Sequence, residues 1–422
     1  MKSTAVLIAM SLMVCTVLSG CGTSPDTGSA APSPGGPTKI GATGASGAAA
    51  VSNGAVAKLN SQVAITSFQF VNRNQGWAVG YQHGRHGQTA TVWETNDSGS
   101  TWRATPLAGF SPEYIHMTNA RQGWLVGLSG IGSSEHIAML ETLDGGRTWQ
   151  PEQTFKLKPG LSPEETVNSL STATQMVFNS NRSGWLVIQG DLYHTTDSGN
   201  GWRRTSQPGG IAGIGAISHD IFAIGFSHIW EWDSHNSTWA LRYTLPQNLQ
   251  RTFYGPQSPS TYPVYQVRNQ ITFSSPRAGY AVFISPDGSM QGQEYLLAHS
   301  RNGGHSWNTV GGSFNNPKNH RKTRELPAGY IVGIHSVPGG DVFIGLSLPF
   351  PYPMLGVLSA NHTWSWICAG LHAPPGWVKG TLRATQWLTS NSGWAVVQTP
   401  IGRNTLLHTD GGRNNWVDIT PR

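Results

Sequence analysis

Few side chains in this sequence have the type and spacing to do chemistry. Cleaving a glycosidic bond takes two carboxyl groups, one protonating the leaving oxygen and one attacking or activating water. The candidates for such a pair outside the repeated turns are Glu135, Glu164, Glu165, Glu231, Asp287 and Glu294, and none sits in a motif. His83 and His86 flank Arg85 at the spacing of a helical metal pair, but they lie in a Gly-rich loop without a supporting carboxylate, and His116 stands elsewhere. No metal and no cofactor is expected. His194, His299 and His408 each directly precede the Thr or Ser of a repeated turn, where Glu94 and Glu141 stand in other units, so they read as structural occupants of one strand slot.

Two groups suit binding better than reaction. Lys318, His320, Arg321, Lys322 and Arg324 form a basic run in one connection. It offers charge-assisted hydrogen bonds to phosphate, carboxylate or an acidic partner segment, or it is simply a solvated loop. Phe350 and Tyr352, flanked by Pro349, Pro351 and Pro353, join Phe253, Tyr254, Tyr262 and Tyr265 of a neighbouring long connection. Such aromatics stack on peptide or glycan, and equally well cover a rim.

Repetition sets the elements that must position these groups. A short turn recurs as Thr95, Asp97, Gly99, Thr101, Trp102, then Thr142, Asp144, Gly146, Thr148, Trp149. It returns as Thr195, Asp197, Gly199, Trp202 and as Ser300, Asn302, Gly304, Ser306, Trp307. A further copy, Thr409, Asp410, Gly412, Trp416, carries an extra residue before its tryptophan. In each, a short polar side chain bonds nearby backbone, glycine takes φ > 0, and tryptophan opens a strand.

Upstream of these turns stands a second strand start: Gly76-Trp77, Gly123-Trp124, Gly184-Trp185, Gly279-Tyr280 and Gly393-Trp394, each running into apolar residues. Weaker units begin at Asp220-Ile221-Phe222-Ala223, followed by Asp233 and Trp239, and at Asp341-Val342-Phe343-Ile344, followed by Ser359, Asn361, Ser365 and Trp366. Seven units, recurring every 36 to 62 residues, with four short strands in each, describe an all-β, seven-bladed β-propeller of four-stranded antiparallel blades. The 17 tryptophans, mostly at repeated positions, read as plugs between blades.

Residues 1–20 read as a leader: Lys2, an apolar stretch from Ala5 to Leu18, then Leu18-Ser19-Gly20-Cys21. This resembles a bacterial lipoprotein signal peptide, which implies lipidation at Cys21 and an exported protein held to an envelope membrane by its N-terminal lipid. Residues 21–60 are Gly, Ala, Ser, Thr and Pro with almost no charge, a tether that as a coil holds the domain on the order of 30 Å off the membrane. The propeller takes 61–422. Once Cys15 and Cys21 are spent, only Cys368 of the 3 cysteines is left, so no internal disulfide is expected and the fold must be held by its own core. With 27 Lys plus Arg against 21 Asp plus Glu, the charge permits contact with anionic surfaces but gives no case for nucleic acid.

The repeat phase sorts the connections. In an up-and-down meander, the first-to-second turns and the Asp turns share one face, and the second-to-third loops and blade connections share the other. The long stretches Tyr81 to Ala90, Gly127 to His136, Ile284 to Glu294, Gly345 to Leu355, Pro151 to Asn168, Leu241 to Gln266, Gly311 to Gly329 and Ala369 to Leu382 then fall on the second face, the expected binding side.

These repeats resemble the Asp-box, or bacterial neuraminidase repeat, motifs of sialidases, sortilin-type receptors, some glucanases and photosystem II assembly factors. Gly76-Trp77-Ala78-Val79-Gly80 or Gly123-Trp124-Leu125-Val126-Gly127, paired with Thr142 to Trp149, looks most like the photosystem II stability and assembly factor type, over about residues 62 to 420. That resemblance implies a seven-bladed propeller acting by binding; the long loops and degenerate turns mean that no photosystem partner is implied. The expected function is a monomeric, non-catalytic scaffold for an envelope protein or polysaccharide. One alternative is a sialidase-type glycoside hydrolase, which would need an arginine triad, a tyrosine activated by glutamate and an acidic proton donor; another is a surface glycan-binding module.

Overall fold

A blade sheet buries both of its faces against neighbours, and the runs after each Gly-aromatic pair are apolar on both sides for that reason. In the computed structural model these runs form seven antiparallel meanders. The structure describes residues 63–84, 87–130, 134–254, 270–289, 292–313, 324–325, 329–347, 353–369, 374–412 and 415–422. Outside them lie the leader with Cys21, the tether, Arg85, His86, Tyr262, Tyr265, Lys318, His320, Arg321, Lys322, Phe350 and Tyr352. Phe253, Tyr254, Asp287 and Arg324 are described in their backbone only.

Blade 1 holds β1 (Val63–Phe70), β2 (Gly76–Gly84), β3 (Gly87–Thr95) and β4 (Arg103–Pro106). Blade 2 holds β5 (Phe110–Met117), β6 (Gly123–Ser129), β7 (His136–Thr142) and β8 (Gln150–Phe155). After α1 (Pro163–Ala173), blade 3 holds β9 (Gln175–Phe178), β10 (Gly184–Ile188), β11 (Asp191–Thr195) and β12 (Arg203–Arg204). Blade 4 holds β13 (Ile211–Ile217), β14 (Asp220–Gly225), β15 (His228–Asp233) and β16 (Thr238–Thr244). After α2 (Gln247–Tyr254), blade 5 holds β17 (Ile271–Phe273), β18 (Gly279–Ser289), β19 (Gly292–Ser300) and β20 (Asn308–Gly312). A short β21 (Arg324–Glu325) adds to β20 in parallel. Blade 6 holds β22 (Tyr330–Ser336), β23 (Val342–Ser347), β24 (Pro353–Leu358) and β25 (Trp364–Ala369). Blade 7 holds β26 (Thr381–Trp387), β27 (Gly393–Gln398), β28 (Asn404–Thr409) and β29 (Val417–Asp418).

The core lies between blades, as seven apolar clusters, one at each junction of the ring. Its plugs are the aromatics that open the second strands: Trp77, Trp124, Trp185, Phe222, Tyr280, Phe343 and Trp394 are all buried. Trp124 stacks on Phe178 of the next blade at 4.9 Å and Phe343 on Trp387 at 3.7 Å. The next blade's turn glycine then covers the ring. Gly199 has φ +94, and a Cβ there would stand 2.4 Å from the Trp124 ring. Gly304, also at φ +94, meets Phe222 in the same way, and Trp77 Nε1 donates to Gly145 O at 2.9 Å. The turn tryptophans are shallower than the sequence suggests. Trp202, Trp307 and Trp416 are buried, but Trp102 and Trp149 are only half-buried.

Hydrogen bonds hold the turn glycine in place. Thr95 Oγ1 donates to Asp97 Oδ1 at 2.8 Å and accepts from Gly99 N at 2.8 Å, while Thr101 gives its amide and hydroxyl to the same carboxylate at 2.8 and 2.6 Å. The second copy repeats this around Asp144, the third keeps the Thr195–Asp197 half, and blade 5 builds it on Asn302. The last copy departs from expectation. Thr409 and Trp416 keep the spacing of the other copies, so Asp410 stands one position before the place of the turn acid, and there it pairs across the ring closure with Arg73 at 2.6 Å.

Closure needs no exchanged strand, since blade 1 and blade 7 each own their four strands. A side-chain latch does the work. Gln386, one residue before the end of β26, accepts from Phe70 N and donates to Phe70 O, both at 2.8 Å. Gln69 grips Met117 of blade 2 in the same manner, at 2.7 and 3.0 Å. Trp102 Nε1 donates to Ile419 O at 2.7 Å and Phe70 stacks on Trp394 at 4.3 Å, which seals the seam.

Several stretches read as loops are ordered elements. Three of the second-to-third loops are largely strand extension, as in β2–β3, paired out to Gly84 and Gly87. The connection after blade 2 contains α1, whose Ser162–Glu165 capping box consumes one of the free acids. The connection into blade 7 does not stay on the long-loop face: Trp416 N donates to Pro375 O at 2.9 Å and Trp377 packs edge-on to Trp416 at 4.7 Å, at the Asp-turn end.

The glycine contact can be separated from glycine conformation. Gly199→Ala is expected to lose about 2–4 kcal/mol in urea melts, from a left-handed residue gaining Cβ and an overpacked indole. Gly160→Ala, also at positive φ but with nothing within 4 Å, should lose only about 1–2 kcal/mol. Equal losses would reject the contact.

Candidate functional site

The Gln latch explains where the ring opens. The first-strand residue paired with the second strand's buried aromatic points toward the next blade, and Gln69 and Gln386 fill that space with paired amide bonds, as Thr272 does more simply to Ser336. In blades 3 and 4 the same place is taken by Val177 and Gly215, neither able to reach across, and Ala216, the residue after Gly215, packs with Val177 at the blade 3–4 junction. In blade 2 the place is taken by His116. Beside His116, Val177 and Ala216 lies a cavity of about 1000 Å³ on the Asp-turn face.

Its walls are two turns fixed by their own side chains. Asn119 Oδ1 accepts from Arg121 N and Gln122 N at 2.8 and 3.0 Å, and Ser180 Oγ accepts from Ser183 N at 2.9 Å. Gln122 Nε2 donates to Glu141 Oε1 at 3.0 Å and to Ser198 O at 3.2 Å, joining blade 2 to the turn of blade 3. Asn179 Nδ2 donates to His219 O at 2.7 Å, leaving Asn179 Oδ1 buried with no partner. The floor is aromatic, with His116 at 6.1 Å from Phe178 and Trp124 beneath. Burial pushes His116 down to about 4, so its imidazole is neutral at physiological pH, with one donor and one acceptor nitrogen. The lining holds amides, hydroxyls and one neutral imidazole, and no carboxylate. It can bind sugar hydroxyls or peptide groups; it holds no acid to protonate a leaving group.

The acids singled out from sequence do not gather here. Glu231 is held by Arg242 at 2.5 Å and His305 at 3.1 Å, Glu165 caps α1, Glu164 is exposed on the same helix, and Glu294 lies exposed on β19. Glu135 is half-buried at the start of a different hairpin. Two groupings escaped the sequence reading. Glu152 is raised above the usual carboxylate range by burial and then by the charges of Glu141 and Asp197. Of that trio, Glu141 is bonded to Gln122 and Asp197 to Thr195, leaving Glu152 available. Glu113, 1% exposed at the bulge of β5, accepts from Tyr81 Oη at 3.1 Å. Burial and then Glu113's charge raise the Tyr81 phenol above its ordinary value.

The histidine slot is structural, as its phase implies. His194, His299 and His408 stand directly across the strand pair from Trp185, Tyr280 and Trp394 and stack on them at 4.1, 4.4 and 4.8 Å. His83 sits on an exposed hairpin beside Gln88. Among the described residues no group of three or more His, Cys, Asp or Glu could hold a metal. The basic run and the aromatic loop residues lie outside the described residues, apart from the backbones of Arg324 on β21 and Tyr254 at the end of α2.

No family model matches the chain, and no curated protein matches it either. Among solved structures, YCF48 from Cyanidioschyzon merolae is 15% identical across 84% of this chain and 95% of that one, with a TM-score of 0.46. The WD40 β-propeller domain of Doa1 is 10% identical across 84% and 96%, at 0.47. An ancestral GH74 enzyme is 11% identical at a TM-score of 0.51, across 86% of this chain and 47% of its own length. At such identities the likeness is one of fold, the β-propeller.

Buried neutral histidines give the domain a testable pH response. Burial is the main cause that holds His116, His299 and His335 at about 4, against an ordinary 6.5. Between those values the unfolded chain binds more protons, so this stability is full above pH 6.5 and declines as pH falls toward 4. Melting temperature is expected to drop across that window, and His116→Gln, which installs the latch residue of blades 1 and 7, should make the drop shallower. A flat profile would contradict the burial of these rings.

Proposed function

We propose that the chain is an exported, lipid-anchored, non-catalytic binding scaffold for an envelope protein or polysaccharide. A neutral, hydrogen-bonding segment of that partner would occupy the junction of blades 2, 3 and 4. The observation that carries this reading is the lining of the cavity: amides and hydroxyls on turns already fixed by internal hydrogen bonds, over an aromatic floor. Preformed polar groups of this kind bind without a large ordering cost. The leader ending at Cys21 supports anchoring, and the tether supports display away from the membrane. The Asp-turn repeats, with their resemblance to assembly factors, support action by binding. The basic run 318–324 and the aromatics at Tyr254, Tyr262, Phe350 and Tyr352 would supply a second contact on the long-loop side.

Closing the cavity tests its role. Val177→Gln is expected to reach the Ala216 main chain as Gln69 reaches Met117, and to cut recovery of the partner from solubilised host envelopes at least tenfold without lowering the melting temperature. Unchanged recovery would remove the cavity from the reading. Replacing Arg321, Lys322 and Arg324 by Ala is expected to weaken capture and reduce its salt dependence, at unchanged thermal stability; capture identical to the parent would dismiss the basic run. In a screen of fluorogenic glycosides no turnover is expected. Turnover abolished by Glu152→Gln would replace binding with hydrolysis.

A further inference from the structure

A second, smaller cavity of about 280 Å³ lies on blade 5, lined by His299, Arg301, Asn302, Ser306, Asn308 and Val310. Its chemistry stands out against the equivalent places in other blades. In blade 1 the residue across from the buried aromatic is Glu94, paired in an ion pair with Arg103 on the adjoining strand, and the turn acid is Asp97. In blade 5 the corresponding residues are His299, Asn308 and Asn302, so both acids are gone. A cation has been added: Arg301 stands where blades 1, 2 and 3 have Asn96, Leu143 and Thr196. Arg301 makes no hydrogen bond or ion pair among the described residues, and neither does the imidazole of His299, which has His362 of blade 6 edge-on at 5.1 Å.

The exchange of Asp for Asn also turns a hydroxyl around. In blade 1, Thr101 Oγ1 donates to the Asp97 carboxylate at 2.6 Å, which uses up its proton. In blade 5, Asn302 Oδ1 accepts from Ser306 N at 2.9 Å and Asn302 Nδ2 donates to Ser306 Oγ at 3.0 Å. Ser306 is therefore an acceptor inside the turn, and its O–H is released toward the cavity. Of the neighbouring charged groups, Glu231 is tied to Arg242 and His305, and Asp341 of blade 6 accepts from Ser390 at 3.0 Å. Neither lines the cavity.

We propose that this cavity is a binding site for a small oxyanion, a phosphate or a carboxylate, held by the Arg301 guanidinium with the Ser306 hydroxyl, the Asn308 amide and the His299 N–H. Charge-assisted bonds from guanidinium, supported by neutral donors in a lining free of carboxylate, are what such an anion needs. The site is independent of the blade 2–4 cavity, on a different junction of the ring.

The repeat supplies a clean control. Asn302→Asp restores the residue of three other turns, so the hydrogen-bonded turn is retained while a carboxylate enters the site and recaptures the Ser306 proton. In calorimetric titrations of the full-length chain, inorganic phosphate or acetate is expected to bind saturably in the millimolar range or tighter, and glucose not at all. A response to phosphate alone assigns phosphate chemistry; competition between the two anions assigns a general oxyanion site. Asn302→Asp and Arg301→Gln should each weaken binding at least tenfold with an unchanged melting temperature. Absence of saturable binding by either anion, or binding undiminished in Asn302→Asp, overturns the proposal.

Discussion

A sheet that shows apolar faces on both sides is held in a ring only by what its neighbours press against it. Here the decisive contact joins a flat aromatic ring from the second strand of one blade to the left-handed glycine in the Asp turn of the next. Trp124 against Gly199 and Phe222 against Gly304 leave no room for a Cβ. The turn's threonine and aspartate touch neither ring; they bond the glycine's own segment and so hold a bare stretch of backbone flat against the aromatic. The two sequence motifs are thus halves of one interblade joint at the junctions of blades 1–2, 2–3 and 4–5, whereas at the ring closure Gly99 meets Ile419 instead.

Because both halves recur in most units, the fold could be read from sequence down to its weak members: Asp220 and Val342 open strands where the rhythm puts them. What could not be read depends on the closed ring or on local chemistry without periodicity. Helix α1 carries a complete capping signal in Ser162, Pro163 and Glu165, but only Thr166, Leu170 and Ala173 are buried, too sparse an apolar stripe to announce a helix. Asp410 has the letters of a turn acid, yet it directly follows Thr409, one position short of the acid's place, and forms an ion pair with Arg73, more than three hundred positions away in sequence. The large cavity was hidden for a similar reason. Nothing in Val177 suggests a site until Gln69 and Gln386 show what fills that place at two other junctions.

The two faces also differ from the simple division between scaffold and recognition that repeat phase implies. The Asp-turn face holds the ring together through its glycines, and it also carries the cavities beside His116 and His299. These roles are compatible because each turn has side chains to spare. Its first hydroxyl and its acid fix the backbone, while the flanking residues, such as Ser198 beside Asp197 and Arg301 beside Asn302, face outward without altering the joint.

In a ring of equivalent units, the common residues at a repeated position secure the fold, and a departure that keeps the local hydrogen bonds therefore needs another explanation. Asn302 keeps them: its carbonyl oxygen accepts from Ser306 N as Asp97 accepts from Thr101 N. The fold alone would be served equally by aspartate. What changes is charge, from the anionic turns of blades 1, 2 and 3 to a neutral turn beside a guanidinium with no ion pair among the described residues, and that difference is meaningful chiefly to a ligand carrying negative charge.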